Sequence, residues 1–156
     1  FVLHIRDPRQ ALLSWYHHVE VYQTEGYSVW SDAICPPLDY FKWDQETKLD
    51  WQIEYYLPHL VRWLEGWRRV LESQELDILL TRFEDMVDNK PAFFQKIFDF
   101  YDLDIPETCY PDFTPGEHHH RKGLKHEWKN TFNDRQKAWI ADLIPSDLLE
   151  YFGYTP

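Results

Sequence analysis

The chain has 156 residues, the length of one domain with enough material for a hydrophobic core. Apolar residues make up 44% and aromatic residues 18%, which excludes intrinsic disorder, while a net charge of -11 excludes general nucleic-acid binding, which needs a broad basic surface. No uncharged apolar run is long enough to write a membrane segment; two cysteines, Cys35 and Cys109, make no disulfide framework, and although they could pair, the plainer expectation is a reduced intracellular protein, taken here as cytoplasmic.

The opening "FVLHI" is an apolar run of strand length without alternation, which predicts a strand buried on both faces, as in a parallel sheet. "RDPRQALLSWYHHVEVYQ" follows at once. Asp7 suits a helix N-cap and Pro8 the first helical position, and Leu12, Leu13, Tyr16 and Val19 form a helical stripe. Residues 24–50 lack steady periodicity, contain Gly26 and Pro36-Pro37, and read as an aromatic-rich excursion with some helix. After Pro58 the residues Leu60, Trp63, Leu64, Trp67 and Leu71 recur at helical steps. "LDILLTRF" predicts a second strand, and Phe94, Ile97, Phe98 and Tyr101 predict one face of a helix from Pro91 to Tyr101. Residues 104–133 form a long polar connection, and a last helical region from Asp134 to Phe152 is interrupted near Pro145. Strands alternating with helices predict an α/β layered fold.

Two stretches carry candidate chemistry. Arg6 stands where the first strand meets the first helix, the place at which open α/β sheets bind ligands and helix ends favour anions. Ser14 lies seven residues after Asp7, about two turns on, and so returns to a similar helix face. An Arg and a hydroxyl there can grip a phosphate from two sides; the alternative is an Arg paired with a carboxylate and a Ser tolerated within the helix. The second stretch is "HHHRKGLKHEWKNTF", His118 to Phe132, where an acidic chain concentrates positive charge. Arg121 and Lys122 supply charge, Gly123 permits close backbone approach, and Trp128 anchors the loop. The alternatives are a solvated basic loop and, at His118 to His120, a metal site. Three consecutive His share no face in helix or strand, and the spacing fits no metal centre.

Together these pieces resemble the sulfotransferases that use PAPS (3′-phosphoadenosine-5′-phosphosulfate). "RDPRQALLSWYH" is similar to the segment that binds the 3′-phosphate. "LLTRFEDMVDN" is similar to the family's strand and Tyr-Glu-Asp motif, "RKGLKHEWKNTF" to its Arg-Lys-Gly loop with Trp-Lys-Asn continuation, and "YFGY" to its C-terminal ending. The resemblance implies a P-loop-like α/β fold with a parallel sheet flanked by helices. It implies that Arg6 and Ser14 hold the 3′-phosphate of PAPS or its product PAP, that Arg121, Lys122 and Gly123 close over the same group, and that Phe83 lies near the adenine. The implied acceptor is a small molecule, glycan or lipid bearing a hydroxyl or an amine. The chain departs from the pattern twice: Phe83 stands in place of the usual Tyr, and His126 in place of a usual Gly.

The family's upstream lysine-containing phosphate loop and catalytic histidine have no counterpart in this sequence. The resemblance therefore implies that residues 1–156 are the C-terminal portion of a single sulfotransferase domain, truncated at the N-terminus, inactive alone and able to pair with an N-terminal half. The opening Phe1 and the single Met86 fit such a fragment, and no residue is assigned as the catalytic base. The other readings are a catalytically inactive nucleotide-binding module and a protein-interaction domain. Glu84 and Asp85 read as turn-structuring residues paired with basic neighbours rather than as an acid pair. Aromatics from Trp15 to Trp43 serve either the core or an acceptor pocket.

Overall fold

The computed structural model of the chain describes residues 1–25, 36–110 and 123–156, with the backbone alone for 22–25. The strands are β1 (Val2–Ile5) and β2 (Leu79–Arg82). The helices are α1 (Pro8–Glu25), α2 (Gln45–Trp51), α3 (Leu57–Ser73), α4 (Phe83–Asp88), α5 (Lys90–Phe100), α6 (Trp128–Thr131), α7 (Asp134–Leu143) and α8 (Ser146–Tyr151). This is the expected α/β order. The chain divides into two compact units, one of Phe1–Arg6 with Ser73–Lys125, the other of Asp7–Glu72 with His126–Pro156.

The first unit is built on a parallel pair. β1 runs beside β2 in the register Val2–Leu79, Leu3–Leu80, His4–Thr81 and Ile5–Arg82. Parallel neighbours need a long crossover, and residues 6 to 78 supply it. The expectation of a strand buried on both faces is corrected: Leu3 and Ile5 are buried, but His4 is exposed. Successive side chains point to opposite faces, and on the His4 side the ring bonds the Thr81 hydroxyl (Nδ1 to Oγ1, 3.0 Å). α4 and α5 follow β2 directly. Asn89 caps α5 by accepting from the Ala92 N–H, with Pro91 in the first turn. Phe93 is the buried residue of α5 and meets His4 edge-on at 5.4 Å. The predicted stripe of Phe94, Ile97, Phe98 and Tyr101 is displaced round the helix. Phe94 and Phe98 instead pack on Tyr110, at 5.6 and 5.3 Å, and Tyr101 is exposed.

The second unit holds most of the core. Asp7 caps α1 through a bond from the Arg9 N–H to Oδ1 (2.9 Å), and Pro8 takes the first helical position. Leu12, Leu13, Tyr16 and Val19 are all buried, as their spacing requires. The helix expected to follow Pro58 in fact runs through it. α2 passes into a π turn (Gln52–Tyr56) and then into α3 without a break. Proline cannot donate, and its ring collides with the carbonyl four residues back. The wider π turn, closed by the Leu57 N–H on the Gln52 carbonyl, changes the register there. On α3, Leu57, Val61 and Leu64 are buried, while Trp63 stays exposed. The interruption at Pro145 separates α7 from α8, and Ile140, Ile144, Leu148, Leu149 and Phe152 line the core. No helix of the described residues is long and apolar enough to cross a membrane.

Candidate functional site

Arg6 follows β1 at its carboxyl end, and within the first unit it touches two distant parts of the chain. Its Nη2 donates to the Leu124 carbonyl at 2.8 Å. Its guanidinium lies over the Phe83 ring, 4.0 Å from the centroid. Phe83 opens α4 where β2 ends, so both aromatic and cation sit at strand ends. An arginine stacked in this way on an exposed surface gains about 0.5–1 kcal/mol. Gly123, next to Leu124, has φ 63°, in the left-handed region that a side chain disfavours. The following Lys125 pairs with Asp88 at the end of α4. Residues near positions 6, 83 and 124 are thus brought to one place, with a planar cation, an aromatic face and an approachable backbone. A nucleotide phosphate needs charged donors in a fork, and its base needs an apolar face.

Three predicted site residues remain, Ser14, Arg121 and Lys122. Ser14 is half-buried on α1 and belongs to the second unit. Arg121 and Lys122, like His118 to His120, lie outside the described residues. Among the described residues no group of His, Cys, Asp or Glu is arranged to hold a metal ion.

The local electrostatics are those of the strand ends. Asp85 takes Arg82 through both Nε (3.1 Å) and Nη2 (2.8 Å), the structural pairing expected of this acidic turn. Although His4 as a residue is exposed, partial burial of its ring against Phe93 and Thr81 lowers its pKa from the ordinary value; nearby Glu84 opposes this and Arg6 adds to it. In the second unit, Tyr40 is fully buried and meets Phe41, Trp43 and Trp51 edge-on or tilted. Its hydroxyl accepts from Gln52 Nε2 at 3.0 Å, and burial raises its pKa beyond the usual phenol range. Tyr40 is therefore a core residue. Tyr27 and Trp30 of the same excursion lie outside the described residues.

One cluster escaped the sequence reading. Arg9 is buried and forms a two-pronged pair with Asp7, Nε to Oδ1 and Nη2 to Oδ2, each 2.9 Å. It also donates to the Thr155 carbonyl at 2.7 Å and lies over the Trp128 ring at 4.3 Å. Trp128 is held in turn by its backbone N–H on Gln10 Oε1 at 3.2 Å, which gives the expected anchor its partners on α1. The Asp-Pro-Arg spacing was the only sequence signal for this pair. Thr155 and Trp128 are too distant in sequence to be read from it.

A family model of the sulfotransferase domain matches residues 1–112. Comparison with curated proteins and with solved structures returns no match. The matched stretch contains Arg6, Ser14 and Phe83 and ends before Arg121. With 112 of its 156 residues matched, and with a parallel strand pair whose ends carry Arg6 and Phe83, the chain belongs to the sulfotransferase domain family, α/β domains of P-loop-like fold whose chemistry is sulfuryl transfer.

Proposed function

We propose that this chain supplies the 3′-phosphate side of a PAPS site in a sulfotransferase acting on a hydroxyl or amine acceptor. The observation that carries the reading is the seat of Arg6, which lies over Phe83 and bonds the carbonyl beside Gly123. That arrangement fits a nucleotide that carries an extra phosphate near its adenosine. Bound PAPS would supply the sulfuryl group and leave as PAP. In this reading Arg6 and Ser14 bind the 3′-phosphate, Arg121, Lys122 and Gly123 cover it, and Phe83 offers its ring to the adenine. The residue that takes the acceptor's proton is not assigned to this chain, and the chain alone is expected to bind nucleotide without transferring sulfate. Residues 1–156 are read as one portion of a single sulfotransferase domain.

The test is calorimetric titration of PAP into the chain, with adenosine 5′-phosphate as control. PAP is expected to bind at least about tenfold more tightly, since its added phosphate makes charge-assisted bonds. Arg6→Ala and Arg121→Ala should each remove that preference. Folded protein that binds both nucleotides alike, or neither, would overturn the reading.

A further inference from the structure

Helix α3 of the second unit carries a glycine that its own fold does not require. Gly66 stands in the middle of the helix, where glycine is less stable than alanine. Its φ is not positive, so no left-handed turn calls for it. Packing does not call for it either. A side-chain carbon at this position would meet only Arg69 Nη2, at 4.0 Å, which is ordinary contact. What the glycine leaves is a notch in the helix surface. Residues three and four apart on a helix are neighbours, so Arg62 and Trp63 flank the notch on one side and Arg69 on the other. Trp63 is 45% exposed, and Trp67 meets its ring edge-on at 6.2 Å and holds it in place. Arg62 and Arg69 are exposed, and neither has an ion-pair partner among the described residues. Arg68, on the inner side, is by contrast held by Glu72 and Asp147. Glu65, the acidic neighbour of the notch, is half-buried.

We propose that this face of α3 is a docking surface for an acidic oligosaccharide. Two exposed guanidiniums without partners, in a chain of net charge -11, call for an anionic ligand, and each fork fits a carboxylate or a sulfate. The face of the Trp63 ring is electron-rich and suits the C–H groups along one side of a sugar ring. The notch at Gly66 lets that ring lie close to the helix backbone. Two cations are too few to follow a nucleic-acid backbone, and Leu57, Val61 and Leu64 are buried in the core, so α3 offers no apolar face to a membrane. The proposal goes beyond the PAPS reading and does not depend on it.

The experiment titrates a heparin hexasaccharide into the whole chain, with polyphosphate of equal charge and neutral cellohexaose as controls. Heparin should bind at least about tenfold more tightly than either, because only it offers both sugar faces and anions. Arg62→Gln and Arg69→Gln should each weaken heparin binding about tenfold, the effect of losing a hydrogen bond to a charged group. Trp63→Ala should weaken heparin and leave polyphosphate unmoved. Gly66→Leu fills the notch with a good helix former. It should raise the melting temperature by about 2–4 °C and yet weaken heparin at least about tenfold, opposite signs that a merely structural glycine would not give. Polyphosphate binding as tight as heparin, no binding of heparin, or a Gly66→Leu variant that keeps its affinity overturns the proposal. The preference for PAP over adenosine 5′-phosphate, measured on the same proteins, should be unchanged in all four variants. Its absence from the native chain overturns the nucleotide reading and leaves this one standing.

Discussion

His4 shows how a single side chain on a short strand acquires a pH dependence. Its ring packs edge-on against Phe93 and bonds Thr81, and burial depresses its pKa below 6.5. The unfolded chain therefore binds the proton first as pH falls. Between 6.5 and the depressed folded value the unfolded state holds more protons, so stability declines through that window and levels off below it. Urea midpoints at pH 7.5 and pH 5 should show a larger acid loss in the native chain than in His4→Gln. Equal losses in both would mean that His4 titrates normally when folded. The position was legible as a strand residue. Its environment was not, because Phe93 reaches it from a helix some ninety residues further on.

Among the elements, α7 has the most completely specified start. Asn133 accepts from the Gln136 N–H at 2.9 Å, and Gln136 Oε1 accepts from the Asn133 N–H at 3.1 Å. This reciprocal box satisfies two donors that the helix leaves over. Gln136 is also buried, and its Nε2 donates to Asp50 at 2.8 Å, tying α7 to α2. Asn133→Ala should cost about 1 kcal/mol, the usual value of a lost cap. Gln136→Ala should cost about 2–3 kcal/mol, because it also strips a buried hydrogen bond from a carboxylate. Urea denaturation of the two variants ranks them, and the reverse order would show that the tie to α2 contributes little. Local signals served well where one helix answers to its own sequence, as with Asp7-Pro8 and the stripe from Leu12 to Val19. They misled at Pro58. A proline normally marks a helix start, but the π turn before it lets the helix run through. They also misplaced the buried face of α5. That helix is apolar on two sides, and only its packing partner selects Phe93.

For the whole molecule, a net charge of -11 and a proposed polyanionic ligand are compatible because charge acts locally. At physiological salt the field of an exposed charge fades over about 8 Å, so a few cations beside the ligand outweigh distant carboxylates. A ligand that binds only the folded state stabilises it by mass action, about 2.7 kcal/mol at a hundred times Kd. For a chain of this size that is a rise of about 5–10 °C in melting temperature. PAP should produce such a rise and adenosine 5′-phosphate at equal concentration a much smaller one; equal rises would sink the 3′-phosphate reading. The α/β class, the helix caps and the order of the motifs were determined by the sequence alone, because each depends on residues within a few positions of one another. The seat of Arg6 against Phe83 and Leu124, and the closure of Arg9 between Asp7, Trp128 and Thr155, were decided only by the tertiary structure. Apart from the local Asp7–Arg9 pair, these contacts join residues some 77 to 146 positions apart, and no local periodicity records which side chains a folded chain will bring together.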